Sequence, residues 1–85
     1  MLVKTNAIVL KQVKYGDSSL IVKMYTRDYG LLSFMVKGIR SKRAKGKAAM
    51  MQPLMLLDLV LYLRGNQNLK SLREYQYSHV YSNLP

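Results

Sequence analysis

The sequence contains no cysteine and no tryptophan, one histidine, one phenylalanine, two prolines and only four acidic residues in 85. Each shortage closes a route. Without cysteine there is neither a disulfide nor a thiolate zinc site. The single histidine, His79, and the acids Asp17, Asp28, Asp58 and Glu74 stand apart along the chain. General acid–base catalysis needs paired or perturbed groups within reach of one substrate, and a metal needs clustered ligands. Asp17 and Asp28 fall in turn signals, where a short carboxylate caps the backbone, and His79 reads as a surface or strand-end residue. The phosphate-loop pattern fails as well, because Ser41 stands where its first glycine belongs and Ala48 follows Gly46-Lys47. No catalytic residues, metal or other cofactor are therefore expected, and the chain is not expected to be an enzyme.

Long apolar runs are scarce too. The longest, residues 54 to 63, is too short to span a bilayer and carries Asp58 in its middle. In the opening "MLVKTNAIVLKQVKYG", Lys4 and Lys11 interrupt the apolar residues, so it does not read as a cleavable signal. A cytoplasmic protein is expected, with neither a membrane nor a small-molecule substrate as its partner.

What the chain does have is positive charge. Fourteen lysines and arginines against four acids give a net charge of +10, which favours polyanionic partners while saying little about fold. Hydrophobic residues make up 49% of the chain, enough for a folded core rather than a disordered tail. The length suits a single small domain over residues 1–85.

The dominant period is two. Residues 2 to 14 are rich in β-branched and apolar types and end at a turn signal built on Gly16, Asp17 and Ser18. "SLIVKMYT" then alternates, with Leu20, Val22 and Met24 on one face and Ile21, Lys23 and Tyr25 on the other. After the turn "RDYG" comes "LLSFMVK", placing Leu32, Phe34 and Val36 inward and Ser33, Met35 and Lys37 outward. These three strands read as a meander. Residues 48 to 51 can form a short helical turn stopped before Pro53. "MLLDLVLYLR" reads as a fourth strand with Met55, Leu57, Leu59, Leu61 and Leu63 on one face, although so Leu-rich a run is also compatible with a helix. The turn "GNQN" and the strand-like "LKSLREYQYSHVY" beyond it favour a hairpin. The order predicts an all-β, five-stranded OB-fold barrel, with room for a short helix between strands three and four. An SH3-like barrel ranks second, since it usually lacks so long a link at that place.

Two features could bind an anion. In "KGIRSKRAKGK", residues 37 to 47, six cations occur without one acid: Lys37, Arg40, Lys42, Arg43, Lys45 and Lys47. A loop needing only solubility would mix signs, so contact with a phosphate backbone is expected there. If strands two and three pair, Lys23, Tyr25 and Arg27 lie beside Ser33, Met35 and Lys37. Cations would then track phosphates while a ring stacks on an unpaired base. The bland alternative is that Tyr25 and Met35 merely shield the barrel while lysine stems keep it soluble. Tyr62, Tyr75, Tyr77 and Tyr81 read as packing residues on half-buried strand faces. From charge alone, three partners stay open: DNA, RNA as in a ribosome-associated barrel, and an acidic protein.

The stretch "TNAIVLKQVKYGDSSLIVKMYTRDYGLLSFMVKGIR" resembles the N-terminal segment of the RecO family of bacterial recombination mediators. "MQPLMLLDLVL" and "LKSLREYQ" continue the likeness in the same order, over essentially the whole chain. The resemblance implies an OB-fold that binds single- and double-stranded DNA, promotes annealing, and works with RecR and single-stranded-DNA-binding protein in recombinational repair. It also implies that this is the N-terminal domain of a longer protein. It places DNA contacts on Lys37, Arg40, Lys42, Arg43, Lys45 and Lys47, and gives Tyr15 and Gly16 a structural part in a turn.

Overall fold

The computed structural model describes residues 1–41, 46–63 and 69–78. Strands β1 (Leu2–Tyr15), β2 (Ser19–Thr26) and β3 (Gly30–Val36) come first, and a 3₁₀ turn (Lys47–Met51) follows. The chain closes with β4 (Leu56–Tyr62) and β5 (Leu69–Tyr77). They form a closed barrel in the order β1-β2-β3-β5-β4, with β5 parallel to β3 and every other pair antiparallel. This is the expected OB-fold, and the rival helix at residues 54 to 63 is a strand.

Alternation makes the barrel. Leu20, Val22 and Met24 of β2, Phe34 and Val36 of β3, and Leu57, Leu59 and Leu61 of β4 all point inward and are buried. Met51, at the end of the 3₁₀ turn, is fully buried with them, so the link between β3 and β4 plugs the core. Completely removing a side chain of this size from water contributes about 1.5–3 kcal/mol.

One extra residue lets β1 serve two neighbours. The register with β2 shifts between Val9 and Lys11, leaving Leu10 as a bulge. Up to Ile8 the strand pairs with β4. At the bulge, the Val9 N–H donates to the Met55 carbonyl (2.9 Å) and the Leu54 N–H donates to the Val9 carbonyl (2.7 Å). Beyond it, β1 runs on beside β2 alone. Bulges of this kind bend a strand and increase its twist, which barrel closure requires. A second bulge sits in β5, where Leu61 faces Leu72 and Val60 faces Glu74. It leaves Arg73 over and returns Tyr75 to the core side, opposite Leu59.

The β2–β3 turn departs from the expected capping. Thr26, rather than Asp28, holds it: its Oγ1 accepts from the Tyr29 N–H (3.0 Å) and donates to the Gly30 carbonyl (2.7 Å). Gly30 has φ 72, a left-handed conformation that glycine adopts at little steric cost. The Asp28 carboxylate instead accepts from the Thr5 hydroxyl at 3.0 Å, tying the turn to β1. Tyr75 packs against the core as expected, and burial raises its phenol above the usual value of 10.0. Tyr62 is half-buried, whereas Tyr77 is largely exposed. Tyr81, His79 and the β4–β5 turn lie outside the described residues.

Candidate nucleic-acid interface

The β2–β3 hairpin sets out the expected cations as a track. Leu20 to Thr26 pair with Val36 to Gly30 in unbroken register. At ~3.4 Å per residue, that ladder is roughly 20 Å long. Lys37 lies just past one end of it, Lys23 is mid-strand opposite Ser33, and Arg27 opens the turn at the other end. All three are exposed. Tyr25 stands one outward position from Lys23, opposite Leu31, and is 57% exposed. So exposed a ring is free to meet a flat partner, which the shielding alternative would not require.

The two ends of the track differ electrostatically. Arg27 sits 4.0 Å from the Asp28 carboxylate, and its side chain is 76% exposed, so the pair is a weak, solvated one. It also lines a polar groove of about 850 Å³ with Lys4, Asn6, Asp58 and Glu74. Three of the four acids of the chain, Asp28, Asp58 and Glu74, border that groove. Strands β1, β2 and β3 contain no acid at all, only Lys4, Lys11, Lys14 and Lys23. Charge is therefore segregated around the barrel, with acids toward β4 and β5 and an acid-free cationic face across β1 to β3.

At the Lys37 end, the basic segment starts from a fixed point. Gly38 turns the chain with φ 71. Ile39 then enters the core, 2% exposed. The Ser41 hydroxyl and N–H both donate to the Gly38 carbonyl, at 2.7 and 3.1 Å. Arg40 reaches across to the β1–β2 turn. Its Nε donates to the Ser19 carbonyl at 3.1 Å and its Nη2 to the Gly16 carbonyl at 2.8 Å, while its own N–H donates to the Ser18 carbonyl at 2.9 Å. A guanidinium is well suited to this, since its planar fork serves two acceptors at once. Arg40 thus latches the root of the basic segment onto the β1–β2 turn, and Gly16 supplies one of the acceptors. Lys47 is exposed at the start of the 3₁₀ turn. Lys42, Arg43 and Lys45 lie outside the described residues.

Sequence reasoning missed three things here. The core anchor Ile39 had a signal, being the one apolar residue in "KGIRSKR". The Arg40 latch had none, because its acceptors are main-chain atoms. Lys11 was passed over because only the register places it directly opposite Lys23.

Comparison with known proteins adds a family. A family model described as "Recombination protein O N terminal" matches residues 1–81. A DNA repair protein RecO of Christiangramia forsetii is 40% identical over 85 residues, covering 99% of this chain and 36% of the relative. One from Chlorobaculum parvum is 48% identical over 71 residues, covering 82% of this chain and 26% of the relative. One from Bacteroides fragilis is 40% identical over 85 residues, covering all of this chain and 35% of the relative. The chain spans about a third or less of the length of these relatives.

Proposed function

This chain belongs to the RecO N-terminal family, and on that premise we propose that it is the DNA-binding OB domain of a recombinational repair protein. The observation that carries the reading is the cationic, acid-free face of β1 to β3, with Tyr25 exposed on it and the basic segment rooted at its edge. Lys37, Lys42, Arg43, Lys45 and Lys47 contact phosphates, and Lys23 and Arg27 extend the track along the hairpin. Tyr25 stacks on an unpaired base, a contact worth about 1–3 kcal/mol. Arg40, with its fork already engaged by Gly16 and Ser19, positions the segment as much as it touches DNA.

Annealing follows from the same charge. Two complementary strands repel through their phosphates, and a surface that releases their counterions lowers the cost of bringing them together. The domain acts without catalysis, as the N-terminal part of a longer cytoplasmic protein. RecR and single-stranded-DNA-binding protein are the partners that the family suggests for recombinase loading.

The test is annealing of complementary labelled oligonucleotides followed by fluorescence transfer, run with DNA and with RNA of the same sequence. DNA annealing is accelerated at low salt, and more than RNA annealing. Equal acceleration of both would favour a general nucleic-acid barrel, and no acceleration of either would refute the proposal.

A further inference from the structure

Lys11 and Lys23 are direct cross-strand partners on the outer face of β1 and β2, and both are exposed. Like charges directly opposite one another in a sheet are destabilising, and no acid on β1, β2 or β3 offsets them. Apolar side chains flank the pair on both sides. One outward row back, Val13 faces Ile21, which faces Met35. One row forward stands Tyr25. Val13 is 50% exposed and Tyr25 57%, which leaves apolar surface open to solvent beside a strained pair of cations. The rows are about 7 Å apart, two residues along a strand.

We propose that this β1–β2 face is a second subsite on the same barrel, selective for single-stranded nucleic acid, with Lys11 and Lys23 on the phosphates and the Val13–Ile21–Met35 row under unpaired bases. It rests on the nucleic-acid reading above and extends it onto β1. A duplex hides its base faces and offers the sheet only phosphates, so the apolar row gains nothing from it. An unpaired strand can lay bases on that row while its backbone relieves the lysine pair. Charge complementarity selects this occupant over a second copy of the chain, because a copy would bring the same pair of lysines to the interface. The basic segment at residues 37 to 47 grips phosphates of any strand, whereas this face tells single strands from paired ones.

The test compares wild type with Lys11→Gln and Val13→Ser by fluorescence anisotropy on a labelled single-stranded oligonucleotide and on its duplex. Each variant weakens single-strand binding about tenfold, within the range of one lost base contact. Duplex affinity changes less than twofold. Lys11→Gln melts no lower than wild type without nucleic acid, because it relieves a repulsion rather than removing a support. An unchanged ratio of single-strand to duplex affinity in both variants would overturn this subsite and leave the nucleic-acid reading standing. Wild type that binds neither nucleic acid would overturn both. If sedimentation equilibrium shows a dimer that Val13→Asp dissociates, the face is an interface between copies and the proposal is wrong.

Discussion

Replacing Arg40 with alanine removes two hydrogen bonds donated by a charged group, 3.1 Å to the Ser19 carbonyl and 2.8 Å to the Gly16 carbonyl. A buried bond of this kind contributes roughly 1.5–3 kcal/mol, and less where water can replace the donor, so we take about 2 kcal/mol for the pair. In a domain of this size each kcal/mol moves the melting temperature by about 4–8 °C. Arg40→Ala should therefore lower it by roughly 8–15 °C by circular dichroism. Arg40→Lys should fall between, since one ammonium cannot match a planar fork at two acceptors. Lys37→Ala is the control: its side chain is exposed, and surface changes usually stay within about 0.5 kcal/mol. Parallel anisotropy on single-stranded DNA separates latch from contact. An Arg40→Ala variant that melts like wild type yet loses about one phosphate's worth of salt dependence, ~0.7 in slope, would refute the latch and make Arg40 a phosphate ligand.

Two further outcomes follow from the core. Met51→Ala should destabilise the barrel by about 2–5 kcal/mol, because Met51 is fully buried at the end of the 3₁₀ turn, and a chemical-denaturation midpoint within error of wild type would contradict its role as plug. Burial raises the Tyr75 phenol above 10.0 in the folded chain, so the folded state keeps a proton that the unfolded state releases. That contribution is complete below pH 10 and is lost as pH rises through the folded value. Denaturant stability should thus decline above about pH 10, and less steeply in Tyr75→Phe. An identical decline in both chains would remove Tyr75 as its cause.

Most of the barrel was legible because inward and outward residues alternate strictly in β2, β3 and β4. Period two fails at the bulges. In β5 the inward set runs Lys70, Leu72 and then, past Arg73, Tyr75, so the alternation breaks where the register does. It also puts Lys70 on the inner side opposite Phe34, 8% exposed, in a chain whose charge suggests only solvated lysines. The candidate site divides in the same way. Lys23, Tyr25 and Lys37 could be placed from the alternation of one hairpin. Gathering Asp28, Asp58 and Glu74 around one groove required barrel closure, which brings β1, β4 and β5 together from distant parts of the chain. The Arg40 latch joins residues 21 and 24 apart through carbonyl oxygens, and every residue type presents a carbonyl, so no residue pattern marks it.

The account rests most heavily on phosphate contact by the basic segment, and the salt dependence of binding measures that contact directly. Anisotropy with a single-stranded oligonucleotide across a salt series should give log K falling linearly with log salt, by ~0.7 for each phosphate neutralised. Reversing Lys42, Arg43 and Lys45 to glutamate should lower the slope by about 2, the share of three contacts, and weaken binding at every salt concentration. An unchanged slope and affinity in that variant would contradict the account.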